Sequence, residues 1–340
     1  MKLRYYVLRR LLLSVLVLLG VCIITFTLAR IVPSNPAMMW VGSHPTAEQI
    51  ARARQELGLN EPLHIQFFIY MAHMLRGDFG VSIRTHDEVL HDIAAFLPAS
   101  LELILSGMAL SLIIGIPSGV ISALKRDKPT DHVTRLSSVI GVSIFTPWLG
   151  IMLQLIFFRW LGVLPVGDRI DTEISLTHPI NVVTGFYLID SLISGNLIAF
   201  QSVAVHLILP AVTLAAFPIG LITRMTRSTM VDVLEEDYIR TARSYGLSER
   251  VIAYKYALKN AIGPTITVLA LTFAYSLVET FLIENVFNWP GLGRYAALSI
   301  ISLDYPAVMG IAIVIALVYV LLNLAVDIVQ AYLDPRIRLE

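Results

Sequence analysis

Apolar runs of about twenty residues, separated by polar stretches, dominate the 340-residue chain. A helix rises about 1.5 Å per residue. Roughly twenty apolar residues therefore cross the hydrocarbon layer, about 30 Å thick, where each backbone amide must be bonded within the segment. Six runs reach that length: residues 11–29, 103–124, 136–158, 203–222, 262–283 and 307–326. The pattern predicts an all-α membrane protein with six transmembrane helices. Only the fifth run holds an acidic residue, Glu279. One central carboxyl costs about 3 kcal/mol on insertion and each central Leu, Ile, Val or Phe returns about 0.3–0.6 kcal/mol, so that run still inserts.

The first run follows Lys2, Arg4, Arg9 and Arg10, a layout shared with secretory signals and, at Arg9-Arg10, with twin-arginine leaders. It exceeds the roughly 7–15 apolar residues of a signal core and leaves through Leu28-Ala29-Arg30-Ile31 without an Ala-x-Ala site. It therefore reads as an uncleaved anchor. In the next polar stretch Thr46-x-x-Gln49 forms a capping-box pattern that predicts a helix over residues 47–57, with Gly58 as its stop. Asn60 and Pro62 open a second helix that Gly77 ends. Its Leu63, Phe67, Phe68, Met71 and Met74 form an apolar face that lies on the membrane or covers other spans.

Composition narrows the class. The chain is 56% hydrophobic and 15% charged, against about 25% charged in soluble proteins, and its mean hydropathy is +0.74. Soluble, collagen-like, disordered and disulfide-scaffold classes are excluded. The 25 basic and 25 acidic residues cancel, which argues against a nucleic-acid partner. The single cysteine, Cys22, rules out an intrachain disulfide and a cysteine metal cage. Distribution says more than the total. With the N-terminus in the cytoplasm, four basic residues precede the first run, four lie between Lys125 and Arg135, seven lie between Arg224 and Lys259, and Arg336 and Arg338 follow the last run. That places 17 of the 25 inside. Positive charge resists translocation, so both termini are expected to be cytoplasmic and the longer loops 32–98 and 160–202 extracytoplasmic.

The longest inner stretch reads Leu234-Glu235-Glu236-Asp237-Tyr238-Ile239-Arg240-Thr241-Ala242-Arg243-Ser244-Tyr245-Gly246. Acidic residues ahead of helix formers complement the positive end of the helix dipole, and Gly246 suits the stop. Ser248 and Glu249 begin a second helix running toward Asn260, giving a compact knob; the alternative is an ordinary solvated loop.

Catalytic chemistry has no constellation behind it. The chain contains no Gly-Lys dipeptide, so it has no phosphate-cradling Gly-x-x-x-x-Gly-Lys loop. It also lacks His-Glu-x-x-His, Gly-x-Ser-x-Gly and Cys-x-x-Cys. No catalytic or metal residue is expected, and His206 reads as span packing. Trp289-Pro-Gly-Leu-Gly293-Arg294 reads as a turn at the outer mouth. Pro210, Pro218 and Pro264 are candidate bends, and Gly107, Gly115 and Gly119 permit close helix approach. Glu279, Glu284, Asn323 and Asp327 are the candidate pore or intramembrane polar residues. Glu279 and Glu284 fall on different helical faces, whereas Asn323 and Asp327 share one. Glu279 either lines a pore or meets an Arg or His on another helix.

The Glu236-to-Gly246 stretch resembles the coupling loop of the inner-membrane permease subunits of ATP-binding cassette importers, in their dipeptide, oligopeptide and nickel branch. Arg240-Thr241-Ala242 stands at the named positions of the family's Glu-Ala-Ala-x-x-x-Gly loop. Similar matches run along the chain: Leu8-Arg9-Arg10, Pro33-Ser-Asn-Pro36, Leu57-Gly-Leu, Gly77-Asp-Phe-Gly-x-Ser82, Leu164-Pro-Val-Gly167, Arg224-Met-Thr-Arg-Ser228, Trp289-Pro-Gly-Leu-Gly293 and Asp334-Pro-Arg336. The resemblance implies the type I importer permease fold, with a cytoplasmic coupling helix between spans four and five. Its ATPase-coupling residues would be Glu236, Asp237, Tyr238, Arg240, Thr241, Ala242, Arg243 and Gly246.

It also implies a division into an N-terminal span (1–32), an extracytoplasmic loop (33–98), a five-span core (99–331, with the coupling loop 235–260) and a cytoplasmic tail (332–340). The implied function is import of short peptides across a bacterial or archaeal cytoplasmic membrane, with no enzyme activity in this chain. ATP and Mg would be bound by two ATPase subunits or sites. The other partners would be a second, homologous permease, an extracytoplasmic substrate-binding protein and the lipid bilayer. A nickel-chelate or glutathione cargo within the branch is the alternative, and a proton-coupled secondary transporter using Glu279 and Asp327 is the reading from outside it.

Overall fold

A computed structural model describes the backbone of residues 3–31, 41, 46–56 and 60–333, and the side chains of 12–27, 41, 46–52, 54–55 and 60–324. The expectations at Pro33–Pro36, Leu57–Leu59, Asp334–Arg336, the Asp327 side chain and the Leu8-Arg9-Arg10 side chains lie outside the described residues. The helices are α1 (Leu3–Ile31), α2 (Ala47–Glu56), α3 (Leu63–Leu75), α4 (Val89–Leu124), α5 (Pro129–Ser143), α6 (Thr146–Trp160), α7 (Thr172–Thr177), α8 (Tyr187–Ile193), α9 (Leu197–Leu234), α10 (Asp237–Ser244), α11 (Glu249–Val286), α12 (Leu292–Ile301) and α13 (Tyr305–Leu333). The chain forms a larger unit built on Pro98–Pro290 and a smaller one built on Arg4–Leu97 and Gly291–Leu321.

In the larger unit α4 and α9 meet along a glycine seam. Gly107, Gly115 and Gly119 face Leu214, Ile222 and Thr226, each partner the same number of residues further along the chain. The two helices therefore run parallel and in step. The approach is close, because a Cβ on Gly119 would stand 2.6 Å from Thr226 Cβ and 2.8 Å from Thr223 O. Without a hydrophobic drive between helices in lipid, such small-residue contacts supply van der Waals association. Against α9 packs α5, in the opposite sense: Gly141 lies beside Ala216, and Gly220 beside Ser138 and Val142. Hydroxyls inside the spans bond back to their own helices, as Thr213 Oγ1 does to Leu209 O at 2.8 Å and Ser276 Oγ to Thr272 O at 2.9 Å. These two hydroxyls are thus satisfied without water.

The expected third span is not one helix. The continuous apolar run 136–158 breaks into α5 and α6, bent by 106°. Ile144 and Phe145 are extended, and Pro147 follows within the first turn of α6. A proline has no N–H to continue the α5 ladder, and its ring excludes the preceding turn's carbonyl, so the helix restarts in a new direction. The pair still carries the chain across. Asp131 at its start contacts Arg227 near the end of α9, and Gly150 further along abuts Phe287 just beyond α11. Because α4 and α9 are parallel, the segment between them must return the chain to the side where α4 began. It is a broken crossing, not a loop that turns back. Four unbroken helices, α4, α9, α11 and α13, are long and apolar enough to cross, and the bent pair adds a fifth crossing; the described apolar part of α1, Leu12–Thr27, is shorter than a crossing, so five of the expected six spans are found among the described residues.

In the smaller unit the capping box is formed, with Gln49 N donating to Thr46 Oγ1 at 3.3 Å and Thr46 N to Gln49 Oε1 at 2.9 Å. The predicted apolar face of α3 splits: Phe67 stands edge-on to Phe26 with centroids 5.3 Å apart and Met74 meets Cys22, while Leu63 and Phe68 are exposed. Phe67, Tyr70 and Met74, at i, i+3 and i+7, share the helical stripe that reaches Phe26 and Cys22 of α1. The Gly77-to-Ser82 motif ends in a polar clamp. Ser82 Oγ donates to Asp304 Oδ2 at 2.5 Å, and the following loop reaches α4 through Thr85 Oγ1 to Asp92 Oδ2 at 2.6 Å. Tyr295 OH donates to the same Asp92 oxygen at 2.8 Å.

Candidate functional site

Between α9 and α11 the short helix α10 is formed where the acidic cluster and Gly246 placed it, over Asp237–Ser244. Eight residues are too few to persist as a helix alone, so tertiary anchoring must hold it. Ile239 is wholly buried and Ala242 is 7% exposed. They sit in one cluster with Val120, Met230, Ile252 and Ala257, which come from α4, α9 and the start of α11. The C-terminus closes as a Schellman turn: Gly246 N bonds Arg243 O at 2.9 Å and Leu247 N bonds Ala242 O at 3.3 Å. Gly246 sits at φ +75°, where a β-carbon is disfavoured, although the space around it is open.

The expected second helix begins at Glu249 with Ser248 as its N-cap, but it does not end near Asn260. After Gly246 the chain enters α11 at Glu249 and runs without a break into the fifth span through a π-helical turn, Ile252–Ala257. The wider turn re-phases the helix, so that Ile252, Ala253, Ala257 and Ala261 all face the cluster that grips α10.

The predicted coupling residues divide accordingly. Ala242 faces inward and anchors. Tyr238 is tied to α11, its OH accepting from Asn260 Nδ2 at 2.8 Å, and Arg243 Nε donates to Glu249 Oε1 at 3.0 Å. Glu236, Asp237, Arg240 and Thr241 remain exposed, together with Ser244 and Tyr245 beyond them. Below this platform Arg227 of α9 forms a two-pronged pair with buried Asp131 of α5, at 2.6 and 2.7 Å, and Ser122 of α4 adds a bond to Asp131 at 2.5 Å. Arg126 reaches Glu235 at 2.6 Å, joining the end of α4 to the approach to α10.

The intramembrane candidates separate as well. Glu279 is half-buried, with no Arg or His beside it among the described residues, next to exposed Tyr275, Val278 and Leu282 on one face of α11. Glu284 is enclosed within the larger unit and accepts from Ser100 Oγ at 2.5 Å. Asn323 is half-buried in α13. His206 Nδ1 lies 2.8 Å from Ser202 O of its own helix, a packing position.

The family described as binding-protein-dependent transport system inner membrane component matches residues 115–339, and its N-terminal counterpart matches residues 3–104. The chain belongs to this family. Among its relatives, the probable D,D-dipeptide transport system permease protein DdpB of Escherichia coli (strain K12) is 44% identical over 323 residues, covering 95% of this chain and 94% of that one. The dipeptide transport system permease protein DppB of Alkalihalophilus pseudofirmus is 40% identical, covering 98% and 99%. Among solved structures, the inward-facing MetNI methionine ABC transporter gives a TM-score of 0.49 at 14% identity, over 70% of this chain and 93% of that one. By its family and its permease relatives the chain is a transport component of the ABC importer class, a multi-pass permease of the inner membrane.

Two features of this permease escaped the sequence. Glu102 and Arg169 form a pair that is 3% and 5% exposed, with Arg169 Nε 2.9 Å and Nη2 2.5 Å from Glu102 Oε2. Leu188 N and the Gly185 carbonyl complete the bonding, and the guanidinium lies 3.7 Å from the Tyr187 ring centroid. The second is Asp190, which folds the loop before it: burial works against its charge, but the Thr184 hydroxyl and the N–H groups of Thr184, Gly185 and Val183 prevail and lower its pKa. Two of the matched motifs gain reasons here. Trp289 is buried with Nε1 donating to Ala99 O at 2.9 Å, and a Cβ on Gly167 would stand 2.2 Å from Phe287 O.

Proposed function

We propose that this permease carries di- or oligopeptides inward, driven by ATP hydrolysed on separate subunits that dock on α10. The carrying observation is the two-sidedness of α10. Buried Ile239 and Ala242 fix it to α4, α9 and α11, while Arg240, Thr241, Ser244 and Tyr245 face outward as a polar surface for a partner. A rigidly seated helix transmits a push as a rigid-body movement. The peptide cargo is supported by relatives named for dipeptides at 40% and 44% identity over nearly the whole chain. ATP and Mg would sit on two ATPase subunits or sites, and an extracytoplasmic binding protein would deliver the cargo.

The segment 99–331 would be the translocating core, paired with a second permease of similar fold. Tyr275, Val278, Glu279 and Leu282 support that pairing: a carboxylate against lipid is costly, so this face meets a water-filled path or the second permease. The 17 inward basic residues and the parallel α4 and α9 support cytoplasmic termini and a cytoplasmic α10. The test is uptake of a labelled dipeptide into proteoliposomes holding the complete transporter, with glutathione and a nickel chelate as competing cargoes. Uptake should require ATP and the binding protein, and dipeptide should win. Uptake driven by a proton gradient without ATP would overturn the reading.

A further inference from the structure

The ends of α4, α5 and α9 on the α10 side enclose a cleft of about 510 Å³ lined by four guanidiniums, those of Arg126, Arg135, Arg224 and Arg227, with Asp127 and Ser228 beside them. Two of the four are committed. Arg227 holds buried Asp131, and Arg126 holds Glu235 at 2.6 Å with Asp127 at 3.7 Å. Arg135 and Arg224 are exposed and join no ion pair among the described residues. Three acids in and behind the cleft against four arginines leave one positive charge, enough for a singly charged anion and too little for a polyphosphate.

Position supplies the rest. Arg135 directly precedes the apolar run 136–158, and Arg224 lies two residues beyond the run 203–222, so the sequence puts both where a membrane boundary is expected. From the cleft toward the bilayer α5 exposes Leu136, Val139 and Ile140. A soluble anion would use only the basic part of this surface. A molecule with a singly charged phosphodiester head and a hydrocarbon body would use all of it, and basic pockets between spans on the cytoplasmic side are suited to such heads.

We propose that this cleft binds the phosphodiester headgroup of an anionic phospholipid from the leaflet on the α10 side, with an acyl chain along Leu136, Val139 and Ile140. The bound head would bridge α5 and α9 beside the Asp131–Arg227 pair and so brace the platform under α10. The site is independent of the cargo, and its test does not measure transport. The complete complex is placed in nanodiscs of phosphatidylethanolamine with a minor share of phosphatidylglycerol, and retained lipid is counted by native mass spectrometry. The natural chain should retain phosphatidylglycerol. Arg135→Gln with Arg224→Gln should weaken retention about thirtyfold, and Arg135→Lys with Arg224→Lys should restore most of it.

Equal retention by the Gln pair would overturn the proposal. So would displacement of the lipid by free glycerol 3-phosphate, which would make the ligand a soluble phosphate. Loss of the second permease at unchanged lipid content would instead make the cleft a protein contact. Melting of the Gln pair in phosphatidylethanolamine alone should match the natural chain, since both side chains are exposed.

Discussion

Replacing Ala242 with Asp tests whether α10 is held from behind. The pocket around Ala242 is apolar, formed by Ile239, Met230, Ile252 and Ala257. Keeping α10 seated there would bury a new carboxyl without a designed partner, which costs about 2–7 kcal/mol for a neutral polar group and more for a charge. The anchoring it must overcome, about 1.5–3 kcal/mol for fully buried Ile239 and about 0.8 kcal/mol for the Ala242 methyl, with the exposed Tyr238–Asn260 and Arg243–Glu249 bonds adding little, lies in the lower half of that range and below the cost of a charge. The carboxyl therefore wins, and the helix leaves its seat while the spans stay inserted. Inside-out vesicles treated with trypsin should be cut after Arg240 and Arg243 far faster than the natural chain, and should retain less ATPase subunit. Tyr245→Ala is the control for the outward surface. Tyr245 is 82% exposed, so its loss should leave the digestion rate unchanged and still reduce ATPase retention. An Ala242→Asp permease that resists trypsin like the natural one, with its ATPase still bound, would refute the anchoring argument.

Gly119→Ala should destabilise the permease by about 1–3 kcal/mol, because the neighbouring Thr223 carbonyl cannot move aside, whereas Gly263→Ala, with open space around it, should be neutral or gain up to about 1 kcal/mol in thermal melting. Asp131→Asn or Arg227→Gln alone should each cost about 3 kcal/mol, at the low end for a buried pair because Arg227 keeps 21% exposure, and the double variant should cost clearly less than the sum; strict additivity would show that the pair is uncoupled. The pKa of Asp190 is lowered by its hydrogen bonds, so its contribution is present above the ordinary carboxylate value of about 4 and is lost as pH falls through the lower folded value. The melting difference between Asp190→Asn and the natural chain should then be constant from pH 7 to 5 and shrink toward pH 3; a difference independent of pH would oppose that assignment.

What the sequence made legible was local. Span lengths follow from runs of apolar residues, and α10 follows from acids at its start and Gly246 at its end, all within a dozen positions. The break between α5 and α6 was hidden because its residues, Ile144 and Phe145, are apolar, and because Pro147 alone is a residue that membrane helices also tolerate. The coupling residues were found as a set, but which of them face inward depends on Ile252 and Ala257 arriving through a π-turn that no periodicity announces. The two buried ion pairs were invisible for a simpler reason: Glu102 and Arg169 are 67 residues apart and Asp131 and Arg227 are 96 apart, and neither segment alone signals a partner.

These long-range contacts bear on how a push on α10 would travel. Toward one end of α4, Glu102 is fixed to Arg169 and Ser100 to Glu284 of α11; toward the other, Ser122 joins the Asp131–Arg227 pair. Between them the glycine seam leaves no room for α4 to slide on α9, since a shift of one residue would drive Leu214, Ile222 or Thr226 into a side chain instead of a glycine. The cluster that seats α10 draws on α4, α9 and α11 together. A force on α10, as proposed above, would therefore find three spans already joined at both ends and along one seam, and would move them as one body. The larger unit's abrupt break in a span is at Ile144 and Phe145, where two extended residues replace helical hydrogen bonds. Both arms of that corner are packed on the same body, α5 through Gly141 and Gly220 against α9 and α6 through Gly150 against Phe287, so the break redirects the chain without freeing it from the spans beside it.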